Sequence, residues 1–449
     1  MTDAPEWTKD LVIYEINPYA FTSPDGAGDG SGSGTFASLK EKMAYLGDLG
    51  ITGIWLAGYC QCTSHFYGIK SVYACVRPDE FDPALGAARD FKDMIDEAHR
   101  RGIRIFLDVI THGVVNDSPL IADHPAWFKD GTWGMTDYNY DNAEFREWWI
   151  NVWTRYVTEY DVDGYRLDVP RQDQMPLWDV VTAKCAAAGR PIVIIPEHTS
   201  VYHFGQHDYI GFSSDMAGEF CDTPRYASVQ ISCHDEGWQS GPGNYYKVKG
   251  HRGNLAYPLF GYNVPLFMSG EEFNAEQVSL PRLEKNLYGG GGPGGWLYGS
   301  WLRWDQLERS PHCEMFDDFK KMLRIRRENR DVLHGDRSAT HILRVPHSPL
   351  TRPIPYARFI PGEKAIVVAA SHEDTLESPM ILSLPLAEMG LSGRGAYKVS
   401  DLWNEAVSVA TESDLACFHV TVPRARAVDG GVRVFKIEPA GHDARSQEE

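Results

Sequence analysis

The stretch VDGYRLDVPRQ, residues 162–172, decides how the rest of the chain is read. It starts as an apolar strand and then sets Arg166 and Asp168 two residues apart. Alternate side chains of a strand share a face, so two opposite charges lie side by side where burial is expected. Charges so placed are costly unless they are paired or used. Similar short apolar runs recur along the first three quarters of the chain: LVIYEIN (11–17), ITGIWLA (51–57), IRIFLDVI (103–110), GYRLDV (164–169), PIVIIPE (191–197), DYIGFSS (208–214), SVQISCHD (228–235) and VPLFMSG (264–270). Helical patterns fall among them and after the last, clearest at 88–102, 143–160 and 315–329, and Gly102 behind Arg100 and Arg101 marks a helix exit. Strands alternating with helices predict parallel βαβ units, and eight of them predict an α/β fold, a (β/α)8 TIM barrel. No strand leads into G-x-G-x-x-G, so a dinucleotide-binding fold has no support.

From about residue 335 the pattern changes to short strands separated by turns, among them PYARFIP, KAIVVAAS and GVRVFKI. The expected division is a barrel over 1–334 with a short insertion at about 111–141, a C-terminal all-β sandwich domain over 335–440, and a tail at 441–449. The glycine-rich LYGGGGPGGWLYG (287–299) lacks the Lys-Ser/Thr of a phosphate loop and reads as a surface loop over the site.

Hydrophobic residues make up 43% of the 449 residues and aromatics 12%, as in a well-packed globular protein. A net charge of −19 argues against nucleic acid, which needs a basic footprint, and fits a neutral substrate. No 18-residue apolar run occurs and MTDAPEWTKD lacks the features of a secretion signal, so the expectation is a cytoplasmic protein without a membrane partner. The eight cysteines are scattered and are expected as reduced thiols; Cys60-x-Cys62 has neither zinc-ribbon spacing nor a second pair close by. Composition leaves the oligomeric state open.

Catalytic groups of such barrels sit at the C-terminal ends of the strands. The polar residues found there are Asp108, Arg166, Asp168, Glu197, His234 and Asp235. Carboxylates with an Arg and a His around one mouth suit glycosidic-bond cleavage, which needs one carboxyl group as nucleophile or base and another held protonated as acid. On this reading Arg166 keeps Asp168 ionised, while burial and neighbouring carboxylates raise the pKa of Glu197.

GYRLDV, IIPEH and SCHDE, with FLDVITH upstream, resemble the four short conserved regions of the α-amylase family of retaining glycoside hydrolases. GITGIWLAGY and the segment leading into GYRLDV are also similar to that family, so the resemblance spans about residues 10–335 and the all-β remainder matches the family's C-terminal domain. The resemblance implies Asp168 as nucleophile, Glu197 as general acid/base and Asp235 as the third carboxylate. It implies Arg166 as the group orienting Asp168, His234 as a hydrogen-bond partner of the −1 sugar, Tyr67 as the ring stacked under that sugar, and Asp108 as a support of the polar network. The expected substrate is an α-glucan or oligosaccharide.

The sequence departs from the family in its first region, where His112 stands at the usual Asn position and Gly113 at the usual His. That Asn is often a calcium ligand in the family, so no structural calcium and no other cofactor are expected, and His112 becomes the candidate for the sugar contact. Pro170, Arg171 and Gln172 differ from residues that often set the +1 subsite, so linkage specificity does not carry over. Hydrolysis and transglycosylation share one intermediate, and the sequence does not separate them. A catalytically impaired sugar-binding homologue is a third reading, motivated by the altered first region. A metal-dependent hydrolase using Asp108, His112, His198, His234 and Asp235 is disfavoured because the first strand, IYEIN, has no H-x-H; HFGQH (203–207) lacks an intervening Glu. Trp133, Trp238, Tyr245, Tyr246 and Trp296 fall on expected rim loops as sugar platforms or loop anchors.

Overall fold

The computed structural model describes residues 4–28, 33–63, 70–132, 134–197, 207–209, 226, 228–230, 234, 252–261, 263–275, 278–279, 300–350, 354–371, 377–423 and 431–440. Eight parallel strands, β1 (Ile13–Ile16), β2 (Gly53–Leu56), β3 (Arg104–Ile110), β4 (Gly164–Asp168), β5 (Val193–Pro196), β6 (His207–Tyr209), β7 (Ser228–Gln230) and β8 (Val264–Met268), lie in the order β5-β4-β3-β2-β1-β8-β7-β6. Chain neighbours are sheet neighbours except β5 and β6, which end the order among the described residues, and β1 pairs with β8. This is the cyclic order of a (β/α)8 barrel.

Among the described residues, six helices of nine or more residues accompany the strands: α1 (Phe36–Leu49), α2 (Ala88–Arg100), α3 (Ala143–Tyr160), α4 (Met175–Ala187), α5 (Arg252–Phe260) and α6 (His312–Glu328). Their ends follow from local chemistry. Thr35 caps α1 by accepting from Ser38 N–H, and Gly50, at φ +105°, closes it in the left-handed region that glycine enters without a Cβ clash. Asn142 caps α3 in the same way, accepting from Phe145 N–H.

The stretch that opened the sequence reading is fixed at its start by two residues. Asp163 accepts from the Ile105 N–H at 2.9 Å and from Arg104 Nη1 at 3.0 Å, and lies 2.7 Å from His99 Nε2. These contacts tie the entry of β4 to β3 and α2. At Gly164 an added Cβ would fall 2.0 Å from the Val193 carbonyl oxygen, so only glycine lets β4 and β5 approach. The resulting register places Asp108 opposite Arg166 and Ile110 opposite Asp168. Outside the strand, Trp149 and Trp153 of α3, Trp178 of α4 and Tyr165 of β4 are fully buried against one another. Each such ring removes roughly 150–250 Å² from water, about 4 kcal/mol or more before ordering costs, and this packing holds β4 from behind.

Two excursions sit on the barrel. Cys60–Cys62 pairs antiparallel with Cys75–Phe81 between β2 and α2. Gly113–Val115, Phe128–Lys129 and Met135–Tyr138 form a three-stranded antiparallel sheet between β3 and α3, within the expected short insertion. The C-terminal part is a six-stranded antiparallel sheet, running from His341–Arg344 to Gly431–Pro439 along the chain, and a three-stranded sheet built around Glu377–Leu382. Val345, Phe359, Val367, Met380, Leu382, Val420 and Ile437 belong to the apolar core of these sheets, as expected for a β-sandwich. Arg358, fully buried, donates to the carbonyls of Gly261, Val332 and His334, and so clamps the sandwich to the barrel. The loop 287–299, the tail 441–449 and the rim aromatics Trp133, Trp238, Tyr245, Tyr246 and Trp296 lie outside the described residues.

Candidate active site

Asp108 and Arg166 project from neighbouring strands at one level of the barrel, and both are buried. Asp108 Oδ1 accepts from Arg166 Nη1 at 2.9 Å, while Oδ2 accepts from Trp55 Nε1 at 2.9 Å and the Tyr73 hydroxyl at 2.7 Å. With three donors on one carboxylate, Asp108 is the fixed base of the polar network. Arg166 Nη1 also donates to Asp168 Oδ1 at 2.8 Å, and Nη2 lies 3.2 Å from Glu197 Oε1. Its guanidinium stands 4.6 Å from the Trp55 ring centroid, so a cation–π contact adds to the ion pairs. One cation therefore touches three carboxylates.

Glu197 follows β5 directly and is the most open of the three, its side chain 20% exposed against 11% for Asp168 and none for Asp108. Its Oε2 accepts from the Val169 N–H at 2.7 Å. Val169 has φ +43°, a left-handed backbone that a β-branched residue adopts only at a cost of order 1–3 kcal/mol. Thr111 holds this bend from the other side, its hydroxyl donating to the Asp168 carbonyl at 2.7 Å and lying 3.1 Å from that of Val169. The strained turn aims the N–H at Glu197 and the Asp168 side chain at Arg166.

Burial pushes the Asp168 carboxyl well above the usual range, against the pull of Arg166, with Glu197 and Asp108 adding to the rise. This differs from the expectation that Arg166 holds Asp168 ionised. Burial is the larger cause, and a single guanidinium divided among Asp108, Asp168 and Glu197 leaves negative charge that adds to it.

His112 reaches the same place. Its Nε2 lies 4.0 Å from Asp168 Oδ2 and its Nδ1 3.8 Å from Asp137 Oδ1. Burial lowers its pKa, with Asp137 opposing, which favours the neutral ring beside the nucleophile position. His234 is buried, with Nδ1 2.6 Å from Glu15 Oε1; its ring stacks on Tyr73 at 4.9 Å and meets Trp55 edge-on at 5.7 Å. The structure thus brings together Asp108, His112, Arg166, Asp168, Glu197 and His234. Tyr67, Asp235, His198 and His203 lie outside the described residues. Among the described residues no group of three or more His, Cys, Asp or Glu side chains is arranged to hold a metal ion.

Four participants were missed by the sequence reading: Glu15, Tyr73, Val169 and Thr111. Glu15 offered one signal, a lone charge in an apolar barrel strand. Tyr73 and Thr111 sit where a hydroxyl is ordinary, and nothing in the order of residues marks the bend at Val169.

The family description Alpha amylase, catalytic domain, matches residues 16–131. An intracellular maltogenic amylase of Bacillus subtilis is 27% identical over 214 residues, covering 39% of this chain and 35% of that protein. The chain thus spans about a third of the length of this curated relative. Among solved structures, a noncanonic maltogenic alpha-amylase from Thermotoga neapolitana superposes with a TM-score of 0.69 at 20% identity, covering 95% of this chain and 98% of the other. An alpha-amylase from Geobacillus thermoleovorans gives a TM-score of 0.70 at 16% identity, with 97% and 99% covered. These two likenesses carry the fold from end to end, and the family description matches a stretch within the barrel.

Proposed function

We propose that the protein is a retaining glycoside hydrolase that cleaves α-glucosidic bonds in α-glucans or oligosaccharides. The observation that carries the reading is the bridging of Asp108, Asp168 and Glu197 by Arg166 at 2.9, 2.8 and 3.2 Å. A double displacement requires two carboxyl groups held close on either side of the bond, and one guanidinium shared between Asp168 and Glu197 supports that.

In this scheme Asp168 attacks the anomeric carbon as its bond to the leaving oxygen breaks, and Glu197 gives that oxygen its proton. Water then attacks the glycosyl ester after losing a proton to Glu197, which releases the sugar and restores Asp168. Binding of the oxocarbenium-like transition state adds positive charge beside Asp168 and favours its ionised form. Asp235 serves as the third carboxylate, Tyr67 as the stacking ring, and His112 and His234 as partners of the −1 sugar, with Asp108 holding the network. Both proton and nucleophile come from carboxyl groups, so the scheme uses no cofactor. Transfer to a second sugar runs through the same intermediate, and product analysis separates it from hydrolysis.

A place in the cytoplasm belongs to the same proposal. Its supports are the six free cysteines among the described residues and the likeness to an amylase whose name calls it intracellular. No described helix is long and apolar enough to cross a membrane. To test the activity, the protein and Glu197→Gln are incubated with α-linked di- and oligosaccharides and aryl α-glucosides. Turnover by the unaltered protein alone is expected for oligosaccharides; sugar binding without turnover by either would turn the reading toward a binding protein.

A further inference from the structure

Glu15 is the single charged residue of β1, and packing does not explain it. It is fully buried; its Oε1 lies 2.6 Å from His234 Nδ1, and its Oε2 has no hydrogen-bond partner among the described residues. A buried carboxylate oxygen without a partner is expensive. Glutamine has the same shape, would reach the same ring nitrogen and would carry no charge. For stability alone it is the better residue, so the charge at position 15 needs another reason.

That reason lies in what His234 is given. Its ring is confined by Tyr73 on one face and the edge of Trp55, and the Tyr73 hydroxyl and Trp55 Nε1 both donate to Asp108. Asp108 in turn pairs with Arg166. Two buried carboxylates thus each face one nitrogen group: Asp108 faces the guanidinium, and Glu15 faces the imidazole. With Nδ1 engaged by Glu15, the ring meets any sugar through Nε2.

We propose that Glu15 is a positioning residue of the glycosidase site: its carboxylate fixes the His234 ring through Nδ1 and sustains a proton there, so that Nε2 meets a −1 sugar hydroxyl as a charged donor. This rests on the hydrolase reading above. The charged and titratable described groups around the dyad are Asp108 from β3, Arg166 from β4 and Tyr73 from the turn before Cys75, while Trp55 from β2 is uncharged. Burial raises the Glu15 carboxyl, with Asp108 adding to the rise, while His234 and Arg166 pull it down. Arg166 opposes a charged ring and Asp108 favours one, so Glu15, in direct contact, sets the balance.

The test is Glu15→Gln, read in two ways. In protein labelled with ¹⁵N-histidine, the His234 ring is assigned by its loss in His234→Asn and titrated by NMR. The unaltered protein is expected to keep His234 protonated above the ordinary midpoint of about 6.5, and Glu15→Gln to lower that midpoint by about one unit or more while melting no lower. In steady-state kinetics on an aryl α-glucoside, kcat is expected to fall about tenfold or more, the factor one pKa unit represents, with KM changing less and the alkaline limb moving to lower pH. An unaltered His234 midpoint in Glu15→Gln, or a wild-type midpoint at or below 6.5, overturns the proposal. Unchanged kcat and pH profile in an active Glu15→Gln also overturns it. If the unaltered protein cleaves no glucoside, the hydrolase reading fails by itself, while the NMR titration still decides whether Glu15 charges the ring.

Discussion

At Asp168 two forces oppose each other: burial disfavours the charge, and Arg166 at 2.8 Å favours it. Glu272 shows the same contest without a cation. It is fully buried, accepts from the hydroxyls of Tyr14 at 2.8 Å and Tyr45 at 2.7 Å, and burial pushes it from the ordinary 4.5 up to about 7. An acid raised in the folded state stabilises fully below its unfolded value and loses that contribution as pH rises through the folded one. Stability should therefore decline between about pH 4.5 and pH 7, by on the order of 3 kcal/mol. Glu272→Gln should remove most of that decline, as urea melts at pH 5 and pH 8 will show; equal pH dependence in both proteins would exclude Glu272 as its source. The contrast with Asp168 also shows what was legible at this scale. Asp168, Glu197, Arg166 and His234 were named because barrel chemistry gathers at strand ends, and His112 because of the family resemblance. Glu15 was not, because its partner lies 219 positions away and no local pattern expresses such a contact. The sequence pairs Asp168 with Arg166 but does not show that Arg166 is shared with Asp108 and Glu197.

Among elements, β4 carries the most. Its entry is pinned by Asp163, its first residue must be glycine, its back is covered by Trp153 and Trp178, and its end is bent at Val169. Gly164→Ala should force β4 away from β5, since the added Cβ falls on backbone that has no rotamer to yield. The expected cost is about 1–3 kcal/mol or more, as for an overpacked core. Activity should fall by more than the loss of folded protein, because Asp168 and Glu197 shift relative to each other. Melting curves and kcat measured on the folded fraction separate the two effects; wild-type kcat in that variant would show that the β4–β5 spacing does not set the site. The barrel strands could be read from apolar runs because parallel strands are buried on both faces. The small sheet of residues 113–138 could not, since strands of two to four residues leave no period.

For the molecule as a whole, the barrel and sandwich meet through a buried cation as well as through apolar contact. Arg358 of the sandwich donates to the carbonyls of Gly261, Val332 and His334 on the barrel side. Removing such a donor leaves several carbonyls unsatisfied, at about 1–3 kcal/mol each. Arg358→Met should lower stability by about 3 kcal/mol or more and make unfolding less cooperative, measured as a smaller urea m-value; an unchanged melt would mean that the clamp carries no load. The sandwich was legible as a run of short strands, but its attachment was not, since an arginine in YARFIP reads as a solvent-facing residue until the fold buries it.

The central claim is a double displacement at Asp168 with Glu197 as acid/base. The most direct measurement is ¹H NMR of the first product formed from an α-linked maltooligosaccharide, recorded before mutarotation. The account predicts the α-anomer from the unaltered protein and no product from Asp168→Asn; a β-anomer as first product would contradict it.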